Sequence, residues 1–133
     1  MGRRVNRRLL LDTCALVWLA TGDSRLSGKA RGAIASANSV AVSPVSAWEL
    51  GQKHRRGHLK LPVTPRELFF AAVERYGLDI APLDPETMFA ASCLPEHHKD
   101  PADRFIIATA LLGGMTVVTA DGRFPAYGVR VMG

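Results

Sequence analysis

The chain has 133 residues, 17 of them Lys or Arg and 12 Asp or Glu, which gives a formal net charge of +5. Its hydrophobic fraction of 47% and charged fraction of 22% are typical of a globular domain and exclude a disordered or fibrous chain. The length fits one domain, which we expect to span residues 1–133 with a basic N-terminal arm at 1–8. The basic excess favours an anionic partner, with nucleic acid first.

The apolar segments are too short to span a bilayer, and the basic start lacks the long apolar region of a signal peptide. We therefore expect a cytoplasmic protein with no membrane partner. Cys14 and Cys93 have no metal-ligand spacing, and both lie in apolar helical patterns. The sequence predicts that they are buried free thiols.

The first half of the chain reads as two strands, each followed by helix. Leu9-Leu10-Leu11 is a continuously apolar run, as in strands buried on both faces of a parallel sheet, and Asp12 follows it directly. A short helix over 15–20 and a second one capped by Ser27 come next. The second strand is 40–42, after which Ser43-Pro44 begins a helix that runs to Gly57.

One face of that helix combines apolar side chains with a carboxylate. Val45, Trp48, Glu49 and Gln52 share the face that we expect to point inward. A carboxylate there is costly unless it is paired, reaches the rim or binds a metal. The helix ends in the basic segment Lys53–Lys60, whose cations suit either the helix dipole or contacts to phosphates.

The second half continues the alternation. A capping box at Thr64-Pro65 begins a helix that ends at Gly77, a strand is predicted at 78–81, and Asp84-Pro85 begins another helix. A helix over 100–112, a strand at 116–119 and a last strand at 129–131 complete the chain. This order predicts an α/β protein, a three-layer α/β/α fold around a central, mainly parallel sheet.

The helix over 100–112 begins with two acids that compete for one role. Asp100 precedes Pro101 and is a good N-cap, whereas Asp103 projects from the first turn. The capping role assigns Asp100 to the backbone, which leaves Asp103 free to act as a metal ligand. The alternative is that Asp103 simply complements the helix dipole.

Four acids are candidates for a common site. Asp12 and Asp121 each follow an apolar strand, Glu49 lies on an inward helical face, and Asp103 lies in a helix first turn. Ligands bind at the carboxyl edge of such sheets, and four clustered carboxylates need a compensating cation. Oxygen ligands favour Mg²⁺ or Mn²⁺ over zinc, and a hard divalent ion in a basic protein suits phosphoryl chemistry.

Other side chains near these acids have more than one interpretation. His97 and His98 are adjacent and point apart, so we expect them to contact solvent or phosphate rather than a metal. Arg104 either holds a substrate phosphate or pairs with a site carboxylate. Trp18 and Trp48 are expected in the core or a dimer interface rather than as stacking platforms for bases.

Four segments in this order resemble the PIN-domain family, in particular its VapC-type toxins: Leu10-Leu11-Asp12-Thr13, Ser46-Ala47-Trp48-Glu49-Leu50, His98 to Arg104 with Ile107-Ala108-Thr109-Ala110, and Thr119-Ala120-Asp121. The resemblance implies a PIN fold and a Mg²⁺- or Mn²⁺-dependent endoribonuclease. It also implies a homodimer and a small antitoxin that inhibits it. The site it implies has the acids Asp12, Glu49, Asp103 and Asp121, supported by Thr13, Thr119, Asp100 and Arg104.

On the mechanism that this resemblance implies, a metal-activated water attacks the RNA phosphodiester in line and leaves a 5′-phosphate and a 3′-hydroxyl. Asp12, Asp103 and Asp121 would hold the ion, and Glu49 would either ligate it or orient the water. Two rival functions remain. An aspartyl-phosphate phosphatase would need a second acid where this chain has Cys14. A catalytically silent module that binds RNA or a partner would gain nothing from clustered acids.

Overall fold

Strands and helices alternate along the chain in a computed structural model that describes residues 7–133. Within that range the elements are β1 Arg8–Leu11, α1 Thr13–Thr21, α2 Gly28–Ser36, β2 Ser39–Val42, α3 Pro44–Arg55, α4 Pro65–Tyr76, β3 Asp79–Ile80, α5 Pro85–Ser92, α6 Pro101–Gly113, β4 Thr116–Val118, a 3₁₀ helix Phe124–Tyr127 and β5 Val131–Met132. Of the predicted basic arm, residues 1–6 lie outside the described residues. Arg8 belongs to β1.

The sheet has five strands in the order β3-β2-β1-β4-β5, and every pairing is parallel. β1 lies at its centre, with Leu10 in register with Ala41 of β2 and Val117 of β4. Just beyond the sheet, the Asp12 N–H donates to the carbonyl of Val118 at 3.1 Å. The carboxyl ends of β1 and β4 are therefore adjacent, which places their following loops side by side.

The side chains of β1 alternate between two hydrophobic clusters, one on each face of the sheet. Leu9 and Leu11 pack with α1, α2 and α4, whereas Leu10 packs with α6. All three leucines are at most 1% exposed, and each contributes about 1.5–3 kcal/mol through burial. Helix α5 packs against α6 on that second face. The predicted three-layer α/β/α architecture is confirmed.

Helix starts follow the capping signals in the sequence. The side chains that accept a backbone N–H of their helix are those predicted, at Ser27, Ser43, Thr64, Asp84 and Asp100. Helix α1 begins at Thr13, two residues before the expected Ala15, because the Asp12 carboxylate accepts from the Ala15 N–H and caps it.

Some predicted positions were wrong. The last strand is Val131–Met132 rather than 129–131, because the 3₁₀ helix before it brings Tyr127 and Val129 into the core. Both cysteines are exposed: Cys14 lies in the first turn of α1, near the acids Asp12 and Glu49, and Cys93 lies at the end of α5.

Trp18 packs partly buried against the core, whereas Trp48 was expected on an inward face and is 59% exposed. The face of α3 that points inward carries Val45 and Glu49, and Trp48 lies at its outer edge. No helix in the described part of the chain is both long and apolar enough to cross a membrane.

Candidate active site

The structure brings the four predicted acids from four separate elements to the carboxyl edge of the sheet. Asp12 follows β1, Glu49 lies in α3, Asp103 lies in the first turn of α6, and Asp121 follows β4. Their charges interact. The pKa of Asp103 is raised to about 7 by burial and by the neighbouring carboxylates, namely Asp100, Glu49, Asp12 and Asp121.

Asp12 is a buried carboxylate, 6% exposed, held at the start of α1. Its Oδ1 accepts from the Ala15 N–H at 2.7 Å. Burial raises the pKa of Asp12, and this outweighs the Thr119 hydroxyl and the Ala15 N–H, which lower it. A cation bound beside this carboxylate would compensate its charge.

Glu49 is 7% exposed, and two polar side chains, Thr13 and Lys53, contact its carboxylate. The Thr13 hydroxyl donates to Oε1 at 2.5 Å and lies 2.9 Å from the Ser46 hydroxyl. The Lys53 ammonium lies 3.1 Å from Oε2. Burial lowers the pKa of Lys53, but the hydrogen bond and the charge of Glu49 outweigh it, so the net shift is upward.

Asp103 and Asp121 meet at the ring of His98. The His98 Nε2 lies 2.8 Å from Asp103 Oδ2 and 3.1 Å from Asp121 Oδ2. Among residues 7–133, these three side chains form the group of potential ligand atoms that lie within 4.8 Å of one another. Asp12 and Glu49 lie outside this group, but their charges still raise the pKa of Asp103.

Asp121 is also held by the guanidinium of Arg123. Its Oδ1 accepts from the backbone N–H and the Nε of Arg123, at 2.9 and 3.0 Å, and its Oδ2 accepts from Arg123 Nη2 at 2.8 Å. These bonds, with a smaller contribution from His98, lower the pKa of Asp121 below its usual range despite partial burial. Asp121 is therefore ionised while Asp103 is close to its titration midpoint at neutral pH.

The two acids at the start of α6 occupy different positions. Asp100 Oδ1 accepts from the Ala102 N–H at 3.0 Å, so this carboxylate caps the helix as expected. Asp103 is turned towards His98. Thr13 and Thr119 lie beside the acids, as the resemblance implies, at Glu49 and Asp12 respectively.

The structure corrects two expectations near the acids. Arg104 does not pair with a site carboxylate, because its guanidinium donates to the carbonyls of Ala91, in the last turn of α5, and of Leu94 and Pro95 just after it. Its contact with a substrate phosphate stays a prediction. His98 is 4% exposed and contacts carboxylates rather than solvent or phosphate. His97 is exposed, as expected, and packs edge-on against Tyr127.

Sequence reasoning missed three side chains that hold the acids: His98, Lys53 and Arg123. Lys53 had a usable signal, since it lies four residues after Glu49 on a helix, the spacing of a side-chain ion pair. Arg123 lies two residues after Asp121 in a loop, where no helical or strand period relates them. His98 meets Asp121 across 23 positions of sequence, a contact that exists only in the folded chain.

The donor set fits a hard divalent cation. Carboxylate oxygens predominate, two of the acids are nearly fully buried, and a third has its pKa raised by the charges around it. An ion bound here would relieve that repulsion, and oxygen ligands select Mg²⁺ or Mn²⁺ rather than a soft metal.

A cleft of about 620 Å³ opens beside the acids, between α5 and α6. His98 forms part of its wall on the side of the carboxylates. The rest of the lining includes the apolar Met88 and Phe105, the basic Lys99 and Arg104 and one acid, Glu96. Such a cleft next to the acids can receive part of an anionic ligand.

The PIN domain family matches residues 9–129 of the chain. Ribonuclease VapC22 of Mycobacterium tuberculosis is 30% identical over 120 residues, which cover 90% of this chain and 91% of that protein. Among solved structures, one is VapBC2 from Rickettsia felis bound to a DNA fragment of the VapBC2 promoter. It aligns with a TM-score of 0.70 at 17% identity and covers 94% of this chain and 97% of that chain.

A second solved structure is VapC20 of M. tuberculosis, described as a sarcin-ricin loop cleaving toxin. It aligns with a TM-score of 0.64 at 20% identity and covers 91% of this chain and 95% of that chain. At these identities the two structural alignments establish a shared fold.

Proposed function

This chain belongs to the PIN-domain family, and from that membership we propose that it is a metal-dependent endoribonuclease acting as the toxin of a toxin–antitoxin pair. One observation carries the proposal: four carboxylates from β1, α3, α6 and the loop after β4 converge at the carboxyl edge of the sheet. The relationship to Ribonuclease VapC22 supports RNA as the substrate class.

Asp12, Asp103 and Asp121 would hold Mg²⁺ or Mn²⁺, and Glu49 would either join them or orient the attacking water. When bound, such an ion neutralises charge on the scissile phosphate and activates water for attack. The pKa of about 7 at Asp103 supports this assignment, because the carboxylate is under repulsion that a cation relieves.

The chain's own residues prepare the acids for that role. Thr13 and Lys53 hold the two oxygens of Glu49, and the Thr119 hydroxyl lies by Asp12. The Lys53 side chain is 41% exposed, so its ammonium can also face a phosphate at the mouth of the site. Preorganised groups of this kind stabilise developing charge without reorganising during the reaction.

The substrate surface we propose joins the basic end of α3 to the cleft. Lys53 lies at the acids, and the exposed Arg55 and Arg56 continue from it along the chain. Lys99 lines the cleft on the other side. This arrangement supports binding of a phosphate backbone across the acids, with affinity dominated by charge.

Two protein partners complete the proposal, a small antitoxin and a second copy of the chain. Several structural neighbours are toxin–antitoxin complexes, some of them described as bound to DNA, which supports an antitoxin for this chain. Large exposed apolar side chains such as Trp48 and Phe89, 59% and 71% exposed, offer surface for protein contacts. Light scattering on the purified chain, alone and with the candidate antitoxin, measures both assemblies.

The decisive experiment compares wild type, Asp103→Asn and Asp100→Asn on a mixed cellular RNA pool with Mg²⁺, Mn²⁺ or EDTA. We expect cleavage that needs the metal, is abolished by Asp103→Asn, and persists in Asp100→Asn, since Asn also caps a helix. All three proteins should have the same far-UV circular dichroism spectrum.

Folded, antitoxin-free protein that binds RNA but cuts none of it with any metal would refute the nuclease and leave an RNA-binding module. Equal loss of activity in the two variants would refute the division of roles between Asp100 and Asp103.

A further inference from the structure

The protonation pattern of His98 follows from its contacts. Its Nδ1 accepts a hydrogen bond from the Asp100 N–H at 3.1 Å, so this nitrogen carries no proton. A neutral imidazole with a bare Nδ1 carries its proton on Nε2. The ring is 4% exposed and lies edge-on to Phe124, with ring centroids 6.1 Å apart, so it is held in this orientation.

The Nε2–H donates to one carboxylate, that of Asp121, and lies in contact with a second, that of Asp103. Asp103 Oδ2 lies at 2.8 Å and Asp121 Oδ2 at 3.1 Å. The two carboxylates belong to different parts of the fold, the start of α6 and the loop after β4. Because both oxygens contact the same ring nitrogen, that nitrogen limits how far apart they lie.

Resting on the proposed function, we propose that His98 is a positioning residue that sets the spacing of Asp103 and Asp121 for the cation and is not itself a ligand. Ligation through Nε2 would require the ring to give up its Nε2 proton, or to move the proton to Nδ1 and break the bond from the Asp100 N–H. Partners that orient metal ligands commonly change metal affinity by about 10–100-fold when removed.

The first test measures Mn²⁺ affinity by calorimetry in three variants. His98→Leu fills the space without a donor, and His98→Gln restores an N–H near the position of Nε2. His97→Leu is the matched control, because His97 is the exposed neighbour and contacts Tyr127. We expect affinity about 10–100-fold weaker in His98→Leu, most of it regained in His98→Gln, and unchanged affinity in His97→Leu.

The second test needs no variant, so it holds even if His98→Leu fails to fold. Pulsed electron paramagnetic resonance of the Mn²⁺-loaded wild type should detect no nitrogen-14 coupling from a directly bound imidazole. In the metal-free protein, nitrogen-15 NMR should find the His98 proton on Nε2.

Each contrary result has its own meaning. A directly bound imidazole nitrogen, or a proton on Nδ1, overturns the inference, as does full Mn²⁺ affinity in folded His98→Leu. Wild type that binds no Mn²⁺ at all overturns the proposed function, and the positioning role along with it. Because the first group of results leaves Mn²⁺ binding intact, the two failures are distinguishable.

Discussion

Asp12 has two roles that make opposite demands on its charge. As the cap of α1 it needs only an oxygen that accepts from the Ala15 N–H. As a proposed ligand it must carry a buried negative charge, and its raised pKa shows that the folded chain disfavours that charge. A carboxyl group whose pKa is raised by folding destabilises the native state once the pH exceeds its unfolded pKa.

For Asp12→Asn, we expect the metal-free protein at pH 7 to have a melting temperature equal to or above that of wild type. The amide retains the cap and removes the buried charge. We also expect the variant to lose the stabilisation that Mn²⁺ gives to wild type. Thermal unfolding with and without Mn²⁺ measures both effects, and a clear drop in the metal-free melting temperature would contradict this account.

At the scale of single residues, the sequence identified the acids better than the groups that hold them. Asp12 and Asp121 could be predicted because each follows an apolar strand, and the carboxyl ends of parallel strands share one edge. His98 could not, because its partners are set by how the loop before α6 folds against the loop after β4. The partners of Arg104 are likewise set by how α5 packs on α6.

At the scale of elements, α5 is joined to α6 by one side chain. The Arg104 guanidinium in α6 donates to three carbonyls, that of Ala91 in the last turn of α5 and those of Leu94 and Pro95 just after it, at distances of 2.7 to 2.9 Å. Carbonyls at a helix end lack the full set of partners that the helix interior has, and here the Ala91 carbonyl also accepts from the Leu94 N–H at 3.3 Å. Arg104 thus acts as a cap supplied by the neighbouring helix.

Arg104→Ala should lower the free energy of unfolding by roughly 1–3 kcal/mol, because carbonyls at the α5 end lose their donor. Urea unfolding measures the change. Lys29→Ala, at an exposed position in α2, is the control and should stay within about 0.5 kcal/mol of wild type. An equal effect in the two variants would mean that the Arg104 bonds contribute nothing specific.

Helix starts could be predicted closely and the last strand could not, for a physical reason. A cap is a local contact between residues two or three positions apart, so its signal lies in the sequence itself. The position of β5 depends instead on how the 3₁₀ helix buries Phe124 and Tyr127 against α6 and β4. That packing is decided by distant parts of the chain.

At the scale of the whole molecule, the metal-free protein carries an electrostatic strain that a cation relieves. The pKa of Asp103 is raised to about 7, so at pH 6 a cation must displace a proton, and at pH 8 the carboxylate is already ionised. The raised pKa also means that this group destabilises the metal-free fold increasingly as pH rises from about 4 towards 7.

Mn²⁺ should therefore raise the melting temperature more at pH 8 than at pH 6. At a concentration 100 times the dissociation constant, the gain in stability is about 2.7 kcal/mol. Differential scanning calorimetry at both pH values measures it. In Asp103→Asn, the Mn²⁺-induced rise in melting temperature should differ less between pH 8 and pH 6. If the difference is unchanged, a titrating group other than Asp103 causes it.

The proposed RNA surface predicts how cleavage depends on salt. Arg55→Glu combined with Arg56→Glu should raise KM for RNA and reduce the slope of log KM against log salt by about 0.7 for each phosphate that the protein no longer neutralises. Lys29→Glu with Arg66→Glu makes the same change in net charge elsewhere on the surface. Equal effects of the two pairs would mean that overall charge, rather than the end of α3, attracts RNA.

The fold class was accessible from sequence because the alternation of strands and helices leaves few other arrangements. The continuously apolar Leu9-Leu10-Leu11 predicted burial on both faces, and all three side chains are buried. The strand order required the structure, since β1 pairs with both β2 and β4 and nothing local identifies the second partner.

The central position of β1 has a consequence for the synthesis of the protein. β1 leaves the ribosome long before β4, which pairs with its second edge. Asp121 follows β4, so the four acids assemble only after residues 12–121 have all emerged. A chain whose synthesis stops before Asp121 lacks one of the four acids and cannot form the complete site. In a cell that makes this nuclease, its activity can therefore appear only late in the synthesis of each chain.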